Sequence, residues 1–202
     1  MRTESINHLL ESLFDKKDIF SEEELNSVNS IYVSRMSYVG TLFDVDFSDL
    51  DNFHNLKDIT IDGCMIDKKA IDCIIKHGDL DNVSFLNCDV LGDTYPYFQK
   101  LQTRNLCFVN TRIDFAQITG YYENVKLENM PISGIDCLGN VLDVTNSVFR
   151  DIDVIVTSGF KNLVVSHKQY LEYQLILDKC GKNIIVMEEN GQFISKEVKA
   201  NG

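Results

Sequence analysis

An asparagine followed directly by leucine or a branched aliphatic residue recurs along this chain at short, similar intervals. The pairs are Asn82-Val83, Asn105-Leu106, Asn124-Val125, Asn140-Val141, Asn162-Leu163 and Asn183-Ile184, at intervals of 23, 19, 16, 22 and 21 residues. Self-similarity at a period of about 20–50 residues is typical of proteins that stack one small structural unit on the next. One unit cannot bury its own apolar face, so neighbouring units must share a core. The spacing therefore predicts a stack of repeats.

The repeated unit is clearest in residues 56–66 and 80–90, which share one pattern in full. Both segments are apolar at positions 1, 4, 6 and 11 and have cysteine at position 9. Positions 4 and 6 alternate with outward residues, so a short strand there points two side chains into the core. Position 9 is expected to turn the chain while bonding neighbouring backbone. Looser copies keep the register at 28–38, 106–113, 122–132, 160–170 and 184–186. With one further copy around Asp143, the chain has about eight repeated units, or rungs.

The segment around Asp143 fits the pattern in two registers. In one register Leu138 and Val141 face the core, and Asp143 takes an inward position. In the other, a slip of one residue puts Leu142 and Val144 inside. Since such a slip exchanges the two faces of a strand, we expect a bulge or a local irregularity here.

Two linkers between strands carry helix signals. Asp67 is a residue type favoured at helix N-caps. The apolar residues that follow it at helical spacing are Ala70, Ile71, Ile74 and Ile75. Ser166 with Gln169 resembles a capping box, and we expect the helix that it opens to use Leu171 and Leu175 as its apolar face.

The two ends of the chain differ from the repeats, and we divide the chain into three parts. Residues 1–27 are predicted to form a helical cap, 28–188 the stack of repeats and 189–202 a frayed tail. The cap is indicated by an apolar stripe at helical spacing, made of Ile6, Leu9, Leu10, Leu13 and Phe14. A further capping box, Ser21 with Glu24, opens a second helix in the cap.

Residues 28–186 resemble the leucine-rich repeat family, whose core pattern is L-x-x-L-x-L-x-x-N/C-x-L, in a short, irregular and non-secreted form. The resemblance implies an α/β solenoid with about eight parallel short strands, irregular convex linkers and an N-terminal helical cap. It also implies that the concave sheet binds another protein. A right-handed parallel β-helix is the structural rival because it too stacks short strands, although it does not call for helices in the linkers.

Chemistry-bearing motifs are absent from the sequence, which predicts a protein without catalytic activity, metal or cofactor. The six cysteines include no C-x-x-C pair and the four histidines are scattered, so free thiols are expected and no metal cluster is indicated by spacing. No H-E-x-x-H, phosphate loop or nucleophile elbow occurs. The alternative from the enzyme class is a hydrolase that uses His167 and Cys107.

Charge is the most specific functional hint. The chain is 44% apolar and 25% charged, as expected for a buried core, and its formal net charge is −12. This charge disfavours direct binding to nucleic acid or to anionic membranes. Residues 41–93 contain 12 Asp and 4 Lys, a net of −8. This acidic region favours a basic protein partner, and an acidic surface that is only solvated is the alternative. Because the sequence has no apolar signal region and no long apolar run, we expect the protein to be cytoplasmic.

The outward strand positions and the residues next to them predict the binding face. The partner-binding candidates are Tyr32, Arg35, Thr60, Asp62, Ser84, Leu86, Asn87, Val109, Asn110, Lys126, Glu128, Val164 and His167. Leu86 and Val109 have the makeup of an interface centre with a polar rim. The sequence thus predicts a non-catalytic binding module that acts by occlusion or scaffolding through its concave sheet and its acidic first half, such as an inhibitor or immunity-type protein. An orphan structural module without a constitutive partner is the other alternative.

Overall fold

The computed structural model describes Phe14 and residues 20–34, 47–114 and 118–196. Within these residues, nine strands form one sheet, and the order of the strands in the sheet follows the order along the chain. The strands are β1 (Ser30–Ser34), β2 (Asp58–Asp62), β4 (Leu80–Leu86), β6 (Thr103–Val109), β7 (Tyr121–Glu128), β9 (Leu138–Asp143), β11 (Gly159–Ser166), β12 (Asn183–Met187) and β13 (Phe193–Lys196). Every neighbouring pair is parallel except β12 with β13. The fold is therefore of the α/β type, with a large and mostly parallel sheet.

Short strands and helices fill the linkers. Two pairs of two-residue strands are parallel, β3 (Met65–Ile66) with β5 (Asp89–Val90), and β8 (Pro131–Ile132) with β10 (Val148–Phe149). The helices are α1 (Glu22–Ser27), α2 (Lys68–Ile75), α3 (Tyr95–Phe98), α4 (Asp153–Val156) and α5 (His167–Leu177), with 3₁₀ turns at Phe47–Asn52 and Gly92–Thr94. In the described part of the chain, no helix has both the length and the apolar character needed to cross a membrane.

The core lies on one side of the sheet. Two alternating side chains point into it along each parallel strand or directly after it, and all of them are at most 5% exposed. They are Ile31 and Val33, Ile59 and Ile61, Val83 and Phe85, Leu106 and Phe108, Val125 and Leu127, Leu142 and Val144, Leu163 and Val165, and Ile184 and Val186. The predicted inward positions are confirmed, since a period of two puts every second side chain on the core face.

The predicted helix starts are also confirmed. The Asp67 side chain accepts a hydrogen bond of 2.8 Å from the backbone N–H of Ala70. Ser21 with Glu24, and Ser166 with Gln169, form complete capping boxes at α1 and α5. These contacts satisfy N–H groups that have no partner inside the helix.

Helix α5 does not bury the residues predicted for its apolar face. Leu171 is 59% exposed and Leu175 is 79% exposed, whereas Tyr170 and Leu177 are buried. The backbone leaves helical geometry at Tyr173, with φ −115° and ψ 17°. This kink changes the helical phase, so the spacing of the leucines does not decide which side chains face the sheet.

The expected irregularity in β9 is a break in the alternation at Asn140 and Val141, which are both half-buried, and not a bulge. Leu142 and Val144 are fully buried, while Leu138 is 54% exposed. The pairings of β9 with β7 and with β11 keep a constant offset over the whole strand. The second of the two registers is therefore the one found, because it places the larger continuous apolar surface next to Val125 and Leu163.

The expected fraying does not extend over the whole tail. Residues Phe193–Lys196 form β13, which pairs antiparallel with β12. The partner strand supplies hydrogen bonds that a four-residue segment lacks by itself. Arg35, most of the apolar stripe of the cap and residues 197–202 lie outside the described residues.

Candidate functional site

The turns that follow the strands hold two of the predicted binding residues. Gly63, Asn87, Asn110, Asn129 and Asn146 all have positive φ. Asparagine tolerates this left-handed conformation better than most residues. The Asn87 amide donates to Asp62 Oδ1 at 2.7 Å, and the Asn110 amide donates to Asn87 Oδ1 at 3.2 Å. Asn87 and Asn110 therefore fix the turns and also rigidify the edge of the face beside them.

In three of these turns the next residue bonds the preceding strand, as expected for position 9. Thr111 Oγ1 donates to the carbonyl of Phe85, and Ser147 Oγ to that of Leu127, both at 2.8 Å. Cys88 Sγ makes the equivalent contact at 3.4 Å, and burial raises the pKa of this thiol to about 12. The turn itself is made one residue earlier than predicted, at the asparagine or glycine.

A second asparagine ladder runs across the starts of the strands. The Asn105 amide donates to Asn82 at 2.8 Å, Asn124 to Asn105 at 2.6 Å and Asn183 to Asn162 at 3.0 Å. These are the asparagines of the sequence repeat, and stacking them satisfies their amides while fixing the register of the sheet.

The solvent-facing side chains of the parallel strands form two rows, which we call the outer face. The first row is Tyr32, Thr60, Ser84, Cys107, Lys126, Asp143, Val164 and Ile185. The second row is Ser34, Asp62, Leu86, Val109 and Glu128, with Ser166 and Met187 further along. The outer face thus brings together nine of the thirteen predicted residues.

One predicted residue on the outer face is not accessible. Val164 is only 6% exposed, although it points outward from β11. Its register partners on either side are Asp143 and Ile185. Val164 therefore supports the face from within, and a partner has little of its side chain to contact.

The centre of the outer face is apolar. Leu86 and Val109 are register partners on β4 and β6, and both are half-buried. Asp62 and Glu128 occupy the same row on the two flanking strands. An apolar centre between polar neighbours is the usual composition of a protein-binding surface.

The carboxylates of the outer face are held in place. Tyr32 donates from its hydroxyl to Asp62 Oδ2 at 2.5 Å, and this bond raises the pKa of Tyr32. Lys126 Nζ lies 2.7 Å from Glu128 Oε2, and the contact with Glu128 raises the pKa of Lys126. Fixed charges lose less side-chain entropy when a partner binds.

The acidic residues of 41–93 are not gathered on one surface. Of those in the described residues, Asp58 lies at the start of β2 and Asp62 at its end, whereas Asp72 is in α2. Others form exposed ion pairs, for example Asp89 with Arg112 at 3.1 Å. Such pairs contribute little to stability. The outer face receives only part of the acidic charge that the sequence concentrates in this region.

The two residues of the hydrolase alternative lie apart. Cys107 is on β6, and His167 begins α5 directly after β11, three strands further along the sheet. At about 4.8 Å per strand, this separation is roughly 14 Å. His167 Nδ1 instead lies 2.7 Å from Glu188 Oε2. A nucleophile and its base need hydrogen-bond contact, so this pair does not act as one.

Burial of Cys107 disfavours its thiolate form. Desolvation raises its pKa, while the cation of Lys126 and a hydrogen bond with Ser84 act in the opposite direction. All six cysteines lie in the described residues, and none forms a disulfide with another, as expected. Over the described residues, no three His, Cys, Asp or Glu side chains come close enough together to hold a metal ion.

The raised pKa of Cys107 makes its reactivity predictable. At pH 8 the folded protein should be alkylated by iodoacetamide at Cys107 more slowly than the urea-unfolded chain, because less thiolate is present. Lys126→Met should slow the reaction further by removing the cation that favours the thiolate. Peptide mass spectrometry follows Cys107 separately from the other thiols. Equal rates for both unfolded chains provide the control, and faster labelling of folded Lys126→Met would contradict this electrostatic account.

Comparison with models of protein families, with curated proteins and with solved structures finds no match. The outer face is therefore the feature of this protein that indicates a function. Its features are a half-buried apolar centre, fixed carboxylates and a rigid frame of turns.

Proposed function

We propose that this chain is a leucine-rich repeat solenoid without catalytic activity that binds a basic protein through its outer face. The outer face corresponds to the concave sheet of that family. Binding occludes or scaffolds the partner, as an inhibitor or immunity-type protein does.

The proposed solenoid fold is supported by the shared core of the parallel strands and by the helices in their linkers. Every parallel strand contributes two side chains to one continuous core, as in a stack of repeats. Helices α2 and α5 lie in the linkers and carry proper N-caps. Helical linkers favour a leucine-rich repeat over a parallel β-helix.

The observation that carries the functional proposal is the pairing of Leu86 with Val109 on neighbouring strands. A binding surface gains most of its energy from a desolvated centre surrounded by polar contacts. Here the polar contacts include Asp62 and Glu128, whose carboxylates favour a basic partner.

The test exchanges both central residues for arginine. The Leu86→Arg/Val109→Arg protein should retain the fold and lose most of its capture of a basic protein from native lysate, because the two arginines add bulk and repel a basic partner. Capture on immobilised protein is followed by quantitative mass spectrometry at low and moderate salt. The wild-type signal should fall as salt screens the carboxylates.

A matched control carries the same charge change elsewhere. Met65 on β3 and Leu91 just after β5 are exposed and lie on neither the outer face nor α5, and Met65→Arg/Leu91→Arg should capture the partner as well as the wild type does. Circular dichroism and the melting temperature establish folding for both double variants. Equal capture by all three proteins would exclude the outer face, and a blank with the wild type would exclude a constitutive partner.

A further inference from the structure

A cleft of about 780 Å³ lies at the carboxyl ends of β11 and β12. It is bounded by the start of α5, by β10 and by the turn that joins β12 to β13. Ser166 and Met187 line the cleft and also belong to the outer face. The cleft therefore continues the proposed interface and can receive a side chain from a partner that covers it.

One wall of the cleft is apolar and aromatic. Phe149 and Tyr173 lie with their ring centroids 5.2 Å apart, and Val148 and Met187 line the same space. Val148 is 72% exposed at the rim. Such a wall suits a flat or aliphatic group rather than a compact hydrated ion.

The polar lining is rich in carboxylates. Glu172, Glu188 and Glu189 face Lys168 and His167 in the lining, which gives an excess of acidic groups. Glu188 Oε2 lies 2.7 Å from His167 Nδ1, and Glu172 lies beside Tyr173 on α5. Two carboxylates thus line the same cleft as an aromatic pair.

From this combination we infer that the cleft binds an arginine side chain of the partner. A guanidinium is planar, stacks on aromatic rings and bonds carboxylates through its fork of N–H groups. Its aliphatic stem can lie against Val148 and Met187 while the head reaches Glu172 and Glu188. The inference rests on the proposed function, because it names the group by which a basic partner is held.

The test uses N-acetyl-arginine methylamide as the probe and the citrulline analogue as its neutral isostere. Titration of ¹⁵N-labelled protein should shift the amide signals of His167, Glu172 and Glu188 with arginine, and at least tenfold less affinity is expected for citrulline. Glu172→Gln/Glu188→Gln should weaken arginine binding at least tenfold. Glu22→Gln/Glu23→Gln removes the same charge from exposed positions on α1, beyond the other end of the sheet, and should leave binding at the cleft unchanged.

The outcomes separate the cleft from the outer face. Shifts that citrulline reproduces, or that appear only around Asp58 and Asp62, overturn the arginine site. Tighter binding of the lysine analogue also overturns it in favour of an ammonium site. If the cleft binds arginine and the outer-face variant still captures the partner, the proposed function fails while the cleft remains. If the reverse holds, the outer face binds a partner without an arginine in the cleft.

Discussion

Phe108→Ala should lower the free energy of unfolding by about 3–5 kcal/mol, the range for removing a buried aromatic side chain. Phe108 is fully buried and stacks on Phe85 with ring centroids 5.2 Å apart. Phe98 completes the cluster at 6.0 Å. The loss exceeds the transfer free energy of the ring, since β4, β6 and α3 meet there and cannot all move to close the cavity. Urea unfolding followed by circular dichroism measures it.

A matched control comes from the edge of the sheet. Phe193 is 61% exposed on β13, and Phe193→Ala should change the free energy of unfolding by less than about 1 kcal/mol. If Phe108→Ala does not fold, Phe108→Leu keeps most of the volume and should cost less than about 2 kcal/mol. Similar losses for Phe108→Ala and Phe193→Ala would contradict the placement of Phe108 in the core.

The inward residues were predictable because the two core positions of each parallel strand are separated by a single residue. Val83 and Phe85, for example, are apolar residues on either side of a polar one, and only one face of the strand can then be buried. The helix starts at Asp67 and Ser166 were predictable for a similar reason. A cap depends on residues within one turn, so its signal is local.

The errors, and the register left open around Asp143, arose where distant residues decide the outcome. Residues 138–144 offer apolar side chains to either face, and pairing with Val125 and Leu163 selects between them. The orientation of α5 depends on the kink at Tyr173, and β13 exists because β12 offers an edge. None of these contacts is visible within a short window of sequence.

The candidate site was predictable from the sequence only in part. The outer face follows from alternation, so most of its residues were named from the sequence. The cleft was missed, because it is assembled from β10, α5 and the turn after β12. The excess of glutamate near residues 172 and 188–189 was a signal, but Phe149, which pairs with Tyr173 in the aromatic wall, comes from an earlier part of the chain.

Gly139→Ala should destabilise the fold strongly, although it adds only one methyl group to the sheet. A Cβ at residue 139 would lie 2.1 Å from the carbonyl oxygen of Tyr122 and 2.5 Å from Cε1 of Phe160. Tyr122 and Phe160 are buried register partners on the two flanking strands. Neither neighbour can withdraw without separating β9 from β7 or β11. We expect a loss of about 3 kcal/mol or more in the free energy of unfolding, at the upper end for overpacking.

Gly159→Ala tests whether the loss of stability expected for Gly139→Ala is caused by neighbouring atoms that cannot move. A Cβ at residue 159 would meet the side-chain atom Cδ2 of Leu138 at 2.0 Å. Leu138 is 54% exposed and can turn into solvent, and alanine is intrinsically better than glycine in a strand. The change in the free energy of unfolding should therefore stay within about 1 kcal/mol, as measured by urea unfolding. Equal stability of the two variants would contradict the register found for β9 and would favour the alternative with Leu138 and Val141 inside.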